Sequence, residues 1–98
     1  MSEIPNDAIL DKMENVLKIA SDFTRLKILY SILGEEKSVN DIAFETGASQ
    51  SLVSHQLAVL KRAHLVSVCR RGHSVFYRLE DDHVEKLLSI TYEHVTED

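Results

Sequence analysis

The chain has 98 residues, of which 44% are hydrophobic and 28% charged, a composition that suits one globular domain, residues 1–98, small enough for dimerisation to be an expected support. One cysteine, one proline and three glycines exclude an intrachain disulfide framework and long flexible linkers. The net charge of −5 argues against a nucleic-acid partner, but its distribution reverses that reading: Lys37 to Arg78 carries six basic and two acidic residues, and the remainder carries five basic and fourteen acidic. No apolar run is long enough to span a membrane and the N-terminus shows no signal-peptide pattern, so a cytoplasmic protein is expected.

Ile9, Met13, Val16, Leu17 and Ala20 have helical spacing, which predicts a first helix from about Ala8 to Ala20. Asp22 or Thr24 can cap a second helix carrying Leu26, Ile28, Leu29 and Ile32, closed by Gly34. Ser38 with Asp41 three residues on resembles a capping box, and the short helix that follows stops at Gly47. Ser49 is the next N-cap, opening a helix whose apolar stripe is Leu52, Val53, Leu57, Leu60 and Leu65. A short helix, a turn containing Gly47 and a second helix are the helix-turn-helix pattern, although the turn alone also suits a generic helical hairpin.

After Leu65 the period changes to two. Val66 and Val68 alternate with Ser67 and Cys69, Arg70-Arg71-Gly72-His73 reads as a tight turn, and Val75 to Leu79 mixes β-branched and aromatic residues. A β-hairpin directly after a helix-turn-helix is a wing, with Arg70 and Arg71 placed to meet phosphates. The fold class is therefore mainly α with a small β-hairpin, a winged helix-turn-helix. His73 reads as a turn residue and Cys69 as a partly buried small apolar one.

Asp81 and Asp82 open the last helix, which runs from about Asp82 to Val95. His83, Leu87, Ile90, His94 and Glu97 are spaced as a seam along which one helix packs on another, and Val84, Leu88, Tyr92 and Val95 form a second stripe expected to cover the chain's own core. The seam is apolar in its middle and bears ligand-type side chains at both ends. His83 and His94 stand about 16 Å apart along a helix, too far to share one ion within one chain. An antiparallel copy of the same helix sets Leu87 against the partner's Ile90 and His83 near the partner's His94. Two equivalent sites per dimer follow, each with Asp81 and His83 from one chain and His94 and Glu97 from the other. Two imidazoles and two carboxylates suit a tetrahedral divalent ion, zinc first and cobalt as its mimic. The same seam also fits a dimer helix whose polar ends are simply hydrated.

With these residues in place the chain resembles the ArsR/SmtB family of metal-responsive repressors over nearly all of its length. The resemblance is carried by Ser49-Gln50-Ser51-Leu52-Val53-Ser54-His55-Gln56-Leu57, similar to the family's recognition helix, and by Asp81-x-His83 with His94-x-x-Glu97, similar to the zinc site on the fifth helix of its SmtB- and CzrA-like members. It implies a homodimer built from helices 1 and 5, binding to a palindromic operator in double-stranded DNA, and release when metal binds, commonly to control zinc efflux or sequestration. It places Gln50, Ser51, Ser54 and His55 at positions that face the major groove, with a merely solvent-facing His55 as the alternative. Lys61, Arg62, Arg70 and Arg71 are then expected on phosphates, with Lys61 and Arg62 as plain surface charges the alternative. His64, just after that helix, is a candidate link between its backbone carbonyl and the second nitrogen of a metal-bound His94. The sequence departs from members that sense metal through cysteines on the first helix of the motif: Ser38 to Ala43 contains none.

The remaining readings are a winged-helix regulator of the same fold that does not respond to metal, and a protein-dimerisation module that does not bind DNA. An enzyme is not expected, since the chain has no Gly-rich phosphate loop and no nucleophile–base pair that spacing brings together, and no small-molecule substrate or membrane partner is expected either.

Overall fold

The computed structural model describes residues 3–97. The elements run α1 (Asp7–Ala20), α2 (Phe23–Ser31), α3 (Val39–Thr46), α4 (Gln50–Arg62), β1 (Val66–Arg71), β2 (Ser74–Leu79) and α5 (Asp82–Thr96). Each helix begins where a short polar side chain can accept from an orphan backbone N–H. Asn6 accepts from Ile9 at 2.9 Å, Asp22 from Arg25 at 3.0 Å, Ser38 from Asp41 at 3.2 Å and Ser49 from Leu52 at 3.1 Å. Asp22, not Thr24, is thus the cap of α2.

Side chains from all five helices and the hairpin build one core. Ile28, Leu29 and Ile32, Ile42, Val53, Leu57, Leu60 and Val66 are all but inaccessible to solvent, and Val84 and Leu88 bring α5 onto the same cluster. Each such side chain contributes about 1.5–3 kcal/mol through burial. The core holds α3 and α4 as a pair joined through Gly47, whose φ of +73° closes α3 in the left-handed region.

β1 and β2 form an antiparallel hairpin in the register Val66↔Leu79 to Arg71↔Ser74. Arg70 and Arg71 therefore belong to the strand, and only Gly72 and His73 make the turn, which is tighter than the sequence suggested. A bridge between Lys37 and Tyr77 anchors the hairpin to the loop before α3, with N–H···O distances of 3.0 and 2.8 Å. The Lys37 ammonium donates to the Ser31 carbonyl and to Glu45 at 2.9 Å, so one side chain ties the end of α2 to α3.

Three expectations need correction. α2 ends at Ser31, three residues before Gly34, because Ile32 leaves helical geometry while keeping its side chain in the core. Leu52 lies on the flank of the α4 stripe and is 40% exposed. In α5 only Val84 and Leu88 of the second stripe cover the core; Tyr92 and Val95 are 60% and 71% exposed, because the last turns of α5 extend past the core. No helix among the described residues is long and apolar enough to cross a membrane.

Candidate nucleic-acid interface and metal centre

The solvent face of α4 follows from its core face. Val53, Leu57 and Leu60 point inward, which turns Ser51, Ser54, His55 and Arg62 outward on the opposite side, with Gln50 and Lys61 also exposed. Ser49 caps the helix, and Lys61 and Arg62 occupy its last turn, where cations complement the helix dipole. Neither α4 nor either strand contains an acidic residue. Gln50, Ser51, Ser54, His55, Lys61 and Arg62 are thus all exposed on one helix.

The wing adds Arg70 and Arg71, both exposed, but their situations differ. Arg71 forms an ion pair with Glu36, and its guanidinium lies over the Phe76 ring at 5.0 Å from the centroid. Arg70 has no ion-pair partner among the described residues. The Glu36 contact joins the loop before α3 to the wing, a pairing across sequence that no local pattern signals.

His64 lies where α4 ends. Its φ is +59°, in the left-handed region that histidine tolerates better than most side chains. The His64 N–H donates to Lys61 at 3.0 Å and the Leu65 N–H to Leu60 at 3.0 Å, which is a Schellman closure with Leu60 and Leu65 both in the core. The His64 side chain is exposed, and among the described residues neither it nor the His64 carbonyl is hydrogen-bonded to His94.

The ligand-type residues of α5 fall into two pairs at opposite ends. Asp81 is the N-cap: its Oδ1 accepts from the N–H groups of His83 at 3.0 Å and Val84 at 3.2 Å. The other oxygen, Oδ2, lies 3.6 Å from His83 Nδ1. At the far end His94 Nδ1 lies 3.9 Å from Glu97 Oε1, one helical turn on. All four side chains are half exposed or more, and the seam between them, Leu87 and Ile90, is 37% and 64% exposed. Within one protomer no three His, Cys, Asp or Glu side chains among the described residues gather closely enough to hold an ion. Asp81 with His83 and His94 with Glu97 are therefore two separate pairs, one imidazole and one carboxylate apiece. Nitrogen and oxygen donors of this kind suit a divalent cation, and half-buried Cys69 belongs to neither pair.

A groove of about 430 Å³ runs between α1, α2 and α5, lined in part by Leu17, Leu26, Tyr30, Leu87, Tyr92 and Val95. The Tyr30 hydroxyl, at the groove wall, donates to the Leu88 carbonyl. Burial first, and then the nearby Tyr92, push the Tyr30 phenol above its usual 10.0, so the hydroxyl remains a donor. Arg25 makes the other long-range link: its Nε donates to Gln56 Oε1 at 2.6 Å and its Nη1 to the Ile19 carbonyl at 3.3 Å. Sequence reasoning missed Tyr30, Arg25 and Gln56, since partners 58 and 31 residues apart leave no local signature.

This architecture has known counterparts. Residues 22–68 match the family model described as bacterial regulatory protein, arsR family. The HTH-type transcriptional regulator KmtR of Mycobacterium tuberculosis is 39% identical over 87% of this chain and 65% of its own length. The transcriptional repressor SmtB homolog of Synechocystis sp. is 34% identical over 88% of this chain and 65% of its own length. The cadmium resistance transcriptional regulatory protein CadC homolog of Staphylococcus aureus is 36% identical over 84% of this chain and 69% of its own length. Thus the chain spans about 65% of the length of the first two of these relatives. Among solved structures, the homodimeric winged helix-turn-helix DNA-binding domain Mb0332 of Mycobacterium bovis superposes with a TM-score of 0.84 at 29% identity, over 97% of this chain and 90% of that one. The chain belongs to the arsR family of bacterial regulatory proteins, a family of DNA-binding transcription regulators rather than enzymes.

Proposed function

We propose that this chain is a metal-responsive transcriptional repressor, and that zinc is its ion. Residues 1–98 act as one DNA-binding and dimerisation unit; the dimer binds operator DNA through α4 and the wing, and loses affinity for it when metal is bound. The observation that carries this reading is the two imidazole–carboxylate pairs, read as half-sites, at opposite ends of the exposed apolar seam of α5. Homodimerisation is supported by the homodimeric state of the Mycobacterium bovis neighbour, and repression by the relative described as a repressor.

The residues divide the work. Leu87 and Ile90 bury against the same residues of a second copy, which removes apolar surface from water and joins the half-sites. Asp81 uses one carboxylate oxygen to cap α5, which immobilises the other beside His83, so this half-site is organised before any ion arrives. His94 and Glu97 complete the set from the partner's α5. A bound divalent cation supplies a fixed electrostatic link between the two helices. The donors are nitrogen and oxygen only, which favours zinc over softer ions. Gln50, Ser51, Ser54 and His55 read base edges, while Lys61, Arg62, Arg70 and Arg71 meet phosphates. His64 receives the second N–H of His94 and carries part of the response to the end of α4. Because the two binding events are linked, operator DNA weakens zinc binding by the factor with which zinc weakens operator binding.

Cobalt(II) titration followed by visible absorption tests the centre. Intense tetrahedral bands that saturate at one ion per protomer, bleach with zinc and vanish in His94→Ala are expected. Weak octahedral bands would reduce α5 to a dimer helix, and leave a winged-helix regulator that does not respond to metal.

A further inference from the structure

The helix that bears the proposed half-sites and the helix proposed to face DNA meet one core, but their main packing neighbours differ. α4 packs chiefly on α1, α2, α3 and β1, and α5 chiefly on β2, with Val84 and Leu88 reaching the shared core. No side-chain hydrogen bond joins α4 directly to α5 among the described residues. The long-range bonds that leave these two helices meet on α2. At its C-terminal end Tyr30 donates to the carbonyl of Leu88, which lies midway between His83 and His94. At its N-terminal end Arg25 donates to Gln56, in the middle of α4, and also to Ile19 at the end of α1. Between the two contacts Ile28 and Leu29 are fully buried. An α2 of nine residues, about 13 Å long, set into a close-packed core shifts as a unit rather than bending.

We propose that α2 is the relay that couples α5 to the recognition helix, with Tyr30 and Arg25 as its two positioning residues and Gln56 as the receiver. This rests on the reading of α5 as the metal-responsive helix and α4 as the recognition helix. A change in the crossing of α5 moves the Leu88 carbonyl, the Tyr30 hydroxyl follows it, and α2 carries the displacement to Arg25. Gln56 lies on the flank of α4 between the core stripe and the DNA face, so a pull on its amide rolls the helix about its own axis and re-aims Ser51, Ser54 and His55. The Ile19 contact joins α1 to the same guanidinium, so both helices of the expected dimer interface report to one residue. His64 is a separate route, and nothing in the α2 relay requires it.

The test compares duplex operator affinity with and without zinc in the wild-type chain and in Tyr30→Phe, Gln56→Met and Gln56→Glu. Tyr30→Phe removes one hydroxyl, Gln56→Met removes the acceptor at constant length, and Gln56→Glu keeps an acceptor opposite Arg25. The ratio of the two affinities is expected to fall about 2- to 30-fold in Tyr30→Phe and Gln56→Met, with zinc stoichiometry intact, and to hold in Gln56→Glu. The double variant Tyr30→Phe/Gln56→Met should lose little more than the worse single, since both cut one route. Wild-type ratios in both single variants overturn the relay. If zinc leaves the wild-type ratio at one, the metal reading falls instead, and amide exchange in zinc-free protein decides the relay: faster exchange around Gln56 in Tyr30→Phe sustains it, and unaltered exchange throughout α4 overturns it.

Discussion

Asp81 shows how much one side chain can do when its two oxygens are separated by geometry. One is committed to the backbone of α5 and the other is free beside His83. Capping is local, so Asp22, Ser38 and Ser49 were legible from residue type and spacing, as was the stop at Gly47. Gly34 misled because its positive φ of 82° closes a turn beyond α2 rather than the helix itself. Gly47 offers a clean measurement of that kind of backbone demand. A Cβ there meets nothing within 4 Å, so Gly47→Ala introduces conformational strain without a clash. The expected cost is about 1–2 kcal/mol of stability, seen as a lower denaturation midpoint at unchanged slope. Gly47→Asn should recover part of it, since asparagine tolerates the left-handed region.

Among the elements, the wing differs most from its sequence reading. Placing Arg70 and Arg71 in the strand rather than the turn gives them opposite sides of a pleated ribbon, so they cannot be equivalent. Arg71 turns to Glu36 and Phe76, and Arg70 keeps an unpaired charge among the described residues. The two should therefore differ in their salt dependence on DNA. Arg70→Ala is expected to reduce the slope of log affinity against log salt by about one unit. Arg71→Ala should reduce it by less, because Glu36 already neutralises that guanidinium. Equal reductions in a salt titration of duplex binding would show that the ion pair opens on contact with DNA at no cost. Strand boundaries were legible only approximately, because the alternation of Val66 to Cys69 does not say where pairing stops; the register with β2 does.

The whole molecule leaves an unusual amount of apolar surface on two helices. Ile9, Met13 and Leu17 of α1 are 48%, 47% and 53% exposed, and Ile90, Tyr92 and Val95 of α5 are more exposed still. A surface of this kind fits the proposed dimer better than scattered chance does. In the proposed dimer, mutual burial of α1 and α5 between two copies makes stability depend on protein concentration. Wild-type melting temperature should rise with concentration, and Ile90→Asp, which sets a carboxylate against the partner's Leu87, should abolish that rise and sediment as a monomer. A concentration-independent melt in the wild type would leave the half-sites without partners. By itself the sequence determined the order of elements, most helix caps, the inward stripe of α4 and the ligand types at the two ends of α5, because each is written in neighbours within about one turn. Only the tertiary structure decided that Tyr92 and Val95 face outward, that Glu36 holds Arg71, and that Tyr30 and Arg25 connect α5 to α4 through α2. Those contacts join residues far apart in the chain, and their partners are chosen by how the core packs, which no local period encodes.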